Sequence, residues 1–460
     1  MDNFVAREYE LSKLQEAWDS GRFEFAIVYG RRRVGKTCLL ERFTEEKRGV
    51  WYQAKRGGGN LALLSEVVGR FTQGVGGVRY NSYSSLLDVL AKEAEKERMY
   101  FVIDEISFLD GDKGEPDLLS LFQYYVDIVF KKTKLMLIFC GSSRSFMERR
   151  LLADPSPLYG RNTLLIHLMP FFIEESAKML PSSWSVRDIA AGHVISSGIP
   201  YYESFLCKYP DLESALRAEY FSPGTLSSEP LLYLMSEFRA VESYNKVLGS
   251  LAQGVTEVGR ISDRTGLTSS NISKMLSVLE YQGLVERKEK FMGKGNGRGW
   301  RLSDGFFAFY YRFVYENLED IQLRRGQAAA DEAVGNLDAF IGRHIERDFR
   351  FYVRRRSEES VKEIGQIDFP NPETRRNEDL GLAARTKSYV IFGECKWKKG
   401  KTGMAELETL QKRASLVAPD LPKRYFLLSL SGFTDELSKE AEGREDLELV
   451  TGEQLLSFPG

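Results

Sequence analysis

Eight consecutive residues, Gly30-Arg31-Arg32-Arg33-Val34-Gly35-Lys36-Thr37, place two glycines, a lysine and a hydroxyl at a spacing suited to holding a polyphosphate. Gly30 and Gly35 let backbone amides close around phosphate oxygens with no Cβ in the way, Lys36 offers a point charge to the β- and γ-phosphates, and the Thr37 hydroxyl can bind Mg²⁺. Arg33, within the loop, and Cys38, just beyond it, join the expected nucleotide-binding residues. Further along, Asp104 and Glu105 form an acidic pair. Asp104 is expected to hold Mg²⁺ through water, and Glu105 to polarise the attacking water as the catalytic base.

These residues need elements to position them, and the flanking sequence supplies such elements. Phe25–Tyr29 is a short apolar run that enters the loop, and Cys38–Phe43 reads as a helix whose free N–H groups face the same anion. Tyr100–Ile103 is a second strand that delivers Asp104 and Glu105 at its C-terminal end, facing the loop. Leu135–Cys140 is a third, ending in Gly141-Ser142-Ser143, where the Ser142 hydroxyl either senses the γ-phosphate or belongs to an ordinary polar turn.

A second set of reactive residues lies near the C-terminus. The helical stretch Ile341–Phe349 carries Glu346, the strand Ile364–Phe369 carries Asp368, and the strand Ser388–Trp397 carries Glu394 and Lys396. Residues two apart in a strand share a face, so Glu394 and Lys396 point the same way. Beside Asp368 they could hold Mg²⁺ or Mn²⁺ through Glu346, Asp368 and Glu394, and orient a hydrolytic water, with Lys396 stabilising charge on a phosphate. Gln411, on the helix Glu406–Ser415, could face this site. An E-x-K strand with a plain salt bridge is the alternative. Arg343, Arg347, Arg350 and Arg354 recur at helical spacing, giving either a DNA-backbone contact or a solvated face.

Between these regions, residues 170–240 alternate short amphipathic helices with breaks at Pro181, Pro200, Pro210, Pro223 and Pro230. Lys246–Ala252 then forms one helix, Thr256 caps a second ending at Gly266, and Thr268 caps a third ending at Gly283. In the third, Ile272, Met275, Leu276 and Leu279 make the core stripe, leaving Ser269, Ser270, Asn271, Ser273 and Lys274 exposed. Leu284–Lys288 and Gly299–Leu302 are expected to be two strands of a wing with a Gly293–Arg298 tip. From Arg260 to Leu302 there are nine Lys or Arg against four Asp or Glu, which favours a phosphate backbone and nominates Lys294, Arg298 and Arg301.

Composition bounds the alternatives. A length of 460 residues predicts two to four domains, and 43% hydrophobic with 28% charged residues describes packed domains rather than disorder. A net charge of −2 gives no whole-chain attraction to nucleic acid. Cys38, Cys140, Cys207 and Cys395 form no zinc or disulfide pattern, and His167, His193 and His344 form no metal pair. No leader and no spanning apolar run is seen, so a cytoplasmic, membrane-free protein is expected.

The chain resembles the archaeal-type ATPase family, a branch of the P-loop ATPases near the AAA+ and STAND groups. Phe4–Glu8 with Leu11 and Leu14 resembles that family's opening segment near the adenine, Gly30–Thr37 its P-loop, and Asp104-Glu105 its Walker B pair. Pro157–Arg161 resembles the segment that brings a basic residue, here Arg161, toward the phosphates. Ser197–Tyr202 resembles the Gly-x-Pro turn of the helical lid, which implies a role for Pro200. The C-terminal carboxylates and the Gly393–Trp397 string resemble a PD-(D/E)xK nuclease-like domain. Two departures stand out: a long polar segment between Asp368 and Glu394, including Pro370, Pro372, Arg375 and Arg376, and Gly365-Gln366 ahead of Asp368 where an acid is usual.

The resemblance implies an α/β chain made of a P-loop NTPase domain with a parallel sheet (1–168), a helical lid (169–240), a winged helix (241–325) and a restriction-endonuclease-like α/β domain (326–460). It implies ATP with Mg²⁺ as ligand, Mn²⁺ as an option at the C-terminal site, DNA as a partner through the winged helix and C-terminal domain, and homo-oligomers as an open option. The expected function is ATP hydrolysis coupled to a DNA-binding, metal-dependent nuclease domain; the alternative is a nucleotide-driven switch that binds DNA or a protein partner without cutting.

Overall fold

The computed structural model describes residues 4–74, 79–109, 117–287, 291, 299–371 and 375–457, excepting the side chains of Asp368 and Asn377. It divides into two compact units, Met1–Pro170 and Phe171–Gly460. The first unit is built on five parallel strands: β1 (Glu24–Tyr29), β2 (Gly49–Gln53), β3 (Met99–Asp104), β4 (Leu135–Gly141) and β5 (Leu164–His167). Their order is β2-β3-β4-β1-β5. β1 and β4 are buried along their whole length, as unbroken apolar strands covered on both faces should be. Helices Asn60–Gln73 and Tyr83–Lys96 add Leu64, Val68, Leu86, Leu87 and Leu90 to the core, against Phe101, Ile103, Leu137 and Phe139.

β4 lies between β1 and β3, with Val28 beside Cys140 and Ile103 beside Phe139. The phosphate loop leaves the end of β1 and the acidic pair leaves the end of β3, so both sets meet over the end of β4.

The second unit begins with helices Ile173–Met179, Val186–Ser196, Pro200–Leu206, Leu212–Glu219 and Thr225–Glu237. Pro230 does not break the chain as expected; it lies inside Thr225–Glu237, with Leu226, Pro230, Tyr233 and Leu234 buried along one side. Packing of that stripe overrides the missing N–H.

Helices Val241–Ala252, Val258–Thr265 and Ser269–Tyr281 follow, then the antiparallel pair β6 (Val285–Arg287) and β7 (Trp300–Leu302). Thr268 caps the third helix through the Asn271 N–H, and Ile272, Met275, Leu276 and Leu279 are its buried face. Thr256 is not a cap: Glu257 holds that position without a side-chain bond, while the Thr256 carbonyl accepts from Trp300 N at 2.8 Å. The hairpin has taken the backbone that a cap would have used. Lys294, Arg298 and the expected tip lie outside the described residues.

The C-terminal part is a mixed sheet of β8 (Glu363–Asn371), β9 (Arg376–Arg385), β10 (Val390–Lys396), β11 (Lys423–Ser429) and β12 (Leu447–Thr451), in the order β12-β11-β10-β9-β8. β10, β11 and β12 run parallel, and β9 is antiparallel to both β8 and β10. Leu407, Leu410, Ala414 and Val417 of helix Met404–Val417 pack against Val390, Phe392 and Leu427. Among the described residues no helix is long and apolar enough to cross a membrane.

Candidate nucleotide site and C-terminal carboxylate face

The loop after β1 folds around its own lysine. Gly35 takes φ +95° as the residue before helix Lys36–Thr44, and Arg33 takes φ +71°. Left-handed residues of this kind are what lets a loop turn successive amides toward an anion. Lys36 is buried, and its ammonium donates to the Gly30 and Arg31 carbonyls at 3.1 and 3.0 Å. Burial pushes the Lys36 ammonium below its usual range, opposed by the carboxylates of Glu105 and Asp104. An incoming phosphate would relieve that burial with charge of the opposite sign.

Thr37 Oγ1 donates to Asp104 Oδ2 at 3.0 Å, so the hydroxyl and carboxylate expected to share Mg²⁺ already meet. Asp104 is buried at the end of β3, and its Oδ1 accepts from Glu105 N at 3.0 Å. Glu105 sits at φ +54°, and its Oε2 accepts from the backbone N–H of Ser142 at 3.2 Å. That contact joins Ser142 to the site through its amide. Cys140, missed from sequence, lies buried at the centre, where burial and then Asp104 hold its thiol well above the ordinary range.

Arg7 belongs to the opening segment Phe4–Glu8, and motif reading gave its side chain no role of its own. Its buried guanidinium donates to the carbonyls of Val34, at 3.3 Å, and Met169, at 2.6 Å, pinning the N-terminal segment to the phosphate loop. Arg161 Nε bonds both Asp127 oxygens at 3.1 and 2.9 Å. Cys38 lies exposed on the first turn after the loop, and Pro200 opens its helix in the second unit.

In the C-terminal sheet Glu394 and Lys396 share a face and form an ion pair of 2.8 Å. Burial pushes Glu346 up to about 7; the Glu394 and Asp379 carboxylates add to the rise, and Arg350 and Arg301 oppose it. The backbone of Asp368 pairs with Asp379 across β8 and β9, while its side chain lies outside the described residues. Among the described residues no three His, Cys, Asp or Glu side chains gather as a metal-holding cluster. Helix Glu346–Arg356 lies close over the sheet, since a Cβ on Gly381 would stand 2.8 Å from the Glu346 carboxylate and one on Gly393 would stand 3.1 Å from Phe349.

Residues 4–187 match a family of ATPase domains found predominantly in Archaea, and residues 246–289 match the IclR helix-turn-helix domain. Residues 4–187 are thus similar to archaeal-type ATPase domains and residues 246–289 to a helix-turn-helix. Residues 310–410 of the chain match a family of archaeal and bacterial proteins of unknown function. An uncharacterized protein of Methanocaldococcus jannaschii is 29% identical over 444 residues, covering 92% of this chain and 95% of that one. An uncharacterized ATP-binding protein of the same organism is 47% identical over 45 residues, 10% of this chain and 76% of its own length. The Walker-type ATPase of Pyrococcus abyssi shares the fold, with a TM-score of 0.50 at 20% identity over 68% of this chain and 97% of that one.

Four sequence expectations for the second unit meet a different arrangement in the structure. Gln411 faces Arg444, its amide oxygen accepting from that guanidinium at 3.1 and 3.2 Å, because Arg444 is held there by Asp446 and Glu440. The arginine stripe is not a free basic face: Arg350 donates to the Gly381 carbonyl at 3.2 Å and Arg347 to the Ser303 carbonyl at 3.1 Å. Arg301 is not a free wing cation either, being bonded to Glu286 Oε1 at 2.5 Å and Gln366 Oε1 at 2.8 Å. Finally, the polar stretch after Asp368 belongs, in its described residues, to a long hairpin in which Phe369–Asn371 pair with Arg376–Glu378 and Arg375 N donates to the Asn371 carbonyl at 2.9 Å, while Pro372 lies outside the described residues.

Proposed function

We propose that this protein uses ATP turnover in its first unit to control a nucleic-acid-binding second unit, with residues 169–240 as the helical connector, 241–325 as the winged helix and 326–460 as a metal-dependent domain acting on DNA. The observation that carries the ATP part is the 3.0 Å contact between Thr37 and Asp104 beside the buried Lys36. Lys36 would release the Gly30 and Arg31 carbonyls to hold β- and γ-phosphate oxygens, while the amides of Arg33 to Cys38 wrap the same anion. Thr37 and Asp104 would hold Mg²⁺, which neutralises charge on the phosphates when bound. Glu105 accepts a water proton from its position beside the Ser142 amide, and Arg161 is the basic residue offered to the phosphates.

For the C-terminal domain the supporting observation is Glu346 held near neutrality beside the Glu394–Lys396 pair. Glu346, Asp368 and Glu394 are hard oxygen donors of the kind that Mg²⁺ or Mn²⁺ takes, and Lys396 is placed to offset charge on a phosphodiester. The ion pair between Glu394 and Lys396 favours a second reading, a switch that holds DNA without cutting it.

The test separates the parts. Lys36→Ala should abolish ATP turnover. Asp368→Ala, Glu394→Ala and Lys396→Ala should each leave ATP turnover intact and abolish Mg²⁺- or Mn²⁺-dependent cleavage of linear, branched or single-stranded DNA. Equal turnover in Lys36→Ala sinks the ATP assignment. Binding of DNA by the wild type with no cleavage under either metal selects the switch.

A further inference from the structure

The wing is not an appendage of its own domain. Phe291, between its two strands in sequence, is 1% exposed and belongs to the apolar cluster of the C-terminal sheet, with Ile367 and Phe369 of β8 and Leu380 of β9. Three polar contacts reinforce that seat. Arg301 of β7 donates to Gln366 of β8 at 2.8 Å, Gln366 Nε2 donates to Asp379 of β9 at 3.2 Å, and Arg347, next to Glu346, donates to the Ser303 carbonyl at the root of the wing at 3.1 Å. Phe291 and Arg301 therefore sit against β8, an edge strand of the sheet, with the Arg301 guanidinium close enough to Glu346 to act on it alongside Asp379 and Glu394.

We propose that the wing is a built-in cover for this carboxylate face, and that a duplex phosphate backbone competes with it. The proposal rests on the reading that the C-terminal domain acts on nucleic acid and adds how that action is restrained. The chemistry is an exchange of partners. Arg301 gives up Gln366 for a phosphate oxygen, and the carboxylate side loses its tethered cation and becomes open to a divalent ion. Docked, the wing can serve neither partner fully; undocked, both surfaces become available together. A competing intramolecular contact lowers apparent affinity by the fraction of molecules in which it is closed, so weakening it must tighten binding.

The experiment uses the full chain and a short labelled DNA duplex in EDTA, where no metal supports cleavage, with affinity read by fluorescence anisotropy. Gln366→Ala removes the β8 acceptor of Arg301 while keeping the arginine and its bond to Glu286 within the wing, and should bind the duplex about tenfold more tightly than wild type, as expected on removing a closed state that dominates about 10:1. Phe291→Ala should do the same where it folds, and Gln366→Ala keeps the test decisive where it does not. Wild-type or weaker affinity in folded Gln366→Ala overturns the cover and leaves the DNA reading standing. Failure of every variant, wild type included, to bind duplex overturns both. Amide exchange over residues 299–303 supplies a check free of any variant: saturating duplex should speed it, and unchanged protection in the complex overturns undocking.

Discussion

Replacing Gly30 with alanine tests whether the phosphate loop is held at its position by the neighbouring strand. An added Cβ would stand 2.2 Å from the Leu168 carbonyl oxygen and 3.2 Å from its carbon. Carbon–oxygen contacts settle near 3.3–3.6 Å, so the loop and the end of β5 must part by roughly 1 Å. Leu168 is not free to yield, because its own N–H donates to the Tyr29 carbonyl at 2.7 Å, one residue before Gly30. Overpacking against backbone costs about 1–3 kcal/mol, equivalent to a fall of roughly 2–12 °C in melting temperature for a unit of this size. The larger effect is on turnover, since displacing a positioning loop by 1 Å costs about 10²-fold in rate. Differential scanning calorimetry and steady-state ATP hydrolysis measure the two effects on one sample. Gly249→Ala is the control, because a Cβ there, in helix Val241–Ala252, meets nothing within 4 Å; it should leave turnover unchanged and raise the melt by a few degrees at most, since alanine favours the helix by about 1 kcal/mol. A Gly30→Ala protein that melts and turns over ATP as wild type refutes the reasoning.

Glu105→Gln should keep ATP binding, since an amide oxygen can still accept from Ser142 N, yet slow hydrolysis by about 10²-fold or more; rapid-quench turnover at the wild-type rate would remove Glu105 as the base. Because burial raises Glu346 to about 7, its proton favours the folded state; that stability is complete at pH 4.5 and below and is lost as pH rises to about 7, by up to about 3 kcal/mol. Urea melts from pH 4.5 to 8 should show Glu346→Gln escaping that loss, and parallel wild-type and variant profiles would contradict it. His193 bonds Asp348 at 3.1 Å and Ser176 at 2.7 Å, and although burial alone would lower it, Asp348 and Glu203 raise it above its ordinary 6.5. Its contribution is therefore present below pH 6.5 and fades as pH climbs through the raised value. His193→Leu should cost about 3–5 kcal/mol at pH 6 by leaving Asp348 and Glu203 buried without their cation, and a cost under 1 kcal/mol there would refute the network.

The nucleotide site was legible because its chemistry is local: Gly30 to Thr37 and Asp104-Glu105 each follow an apolar run whose length and β-branched content mark a strand. What joins those pieces was not legible, because pairing is a tertiary matter. The insertion of β4 between β1 and β3, which brings Cys140 beside Asp104, has no sequence signature, and neither does the reach of Arg7 to residues 27 and 162 positions away. Local rules failed where packing outweighed them. Pro230 is helical because its neighbours are buried, and Thr256 lost its cap to a strand partner. In the C-terminal domain the alternation of Glu394 and Lys396 could be read from a two-residue period, whereas Gln411 shares its helix with the core-facing Leu407 and Leu410 and yet reaches Arg444. The basic residues were misleading for a plain reason. Charge counts locate Arg301, Arg347 and Arg350 but do not reveal that carbonyls and carboxylates within the fold already occupy them.

Helix Glu346–Arg356 carries two duties on one turn. Asp348 ties it to His193 of helix Val186–Ser196, and Glu346, two residues earlier, faces the sheet across Gly381. The glycines at 381 and 393 leave no clearance beneath it, so the helix behaves as a lever without backlash. A ligand that shifts Val186–Ser196 must move the Glu346 carboxylate or break the His193–Asp348 bond. The traffic runs both ways, since linkage is reciprocal: a cation bound at Glu346 would change the affinity of that ligand by the same factor by which the ligand changes the affinity of the cation.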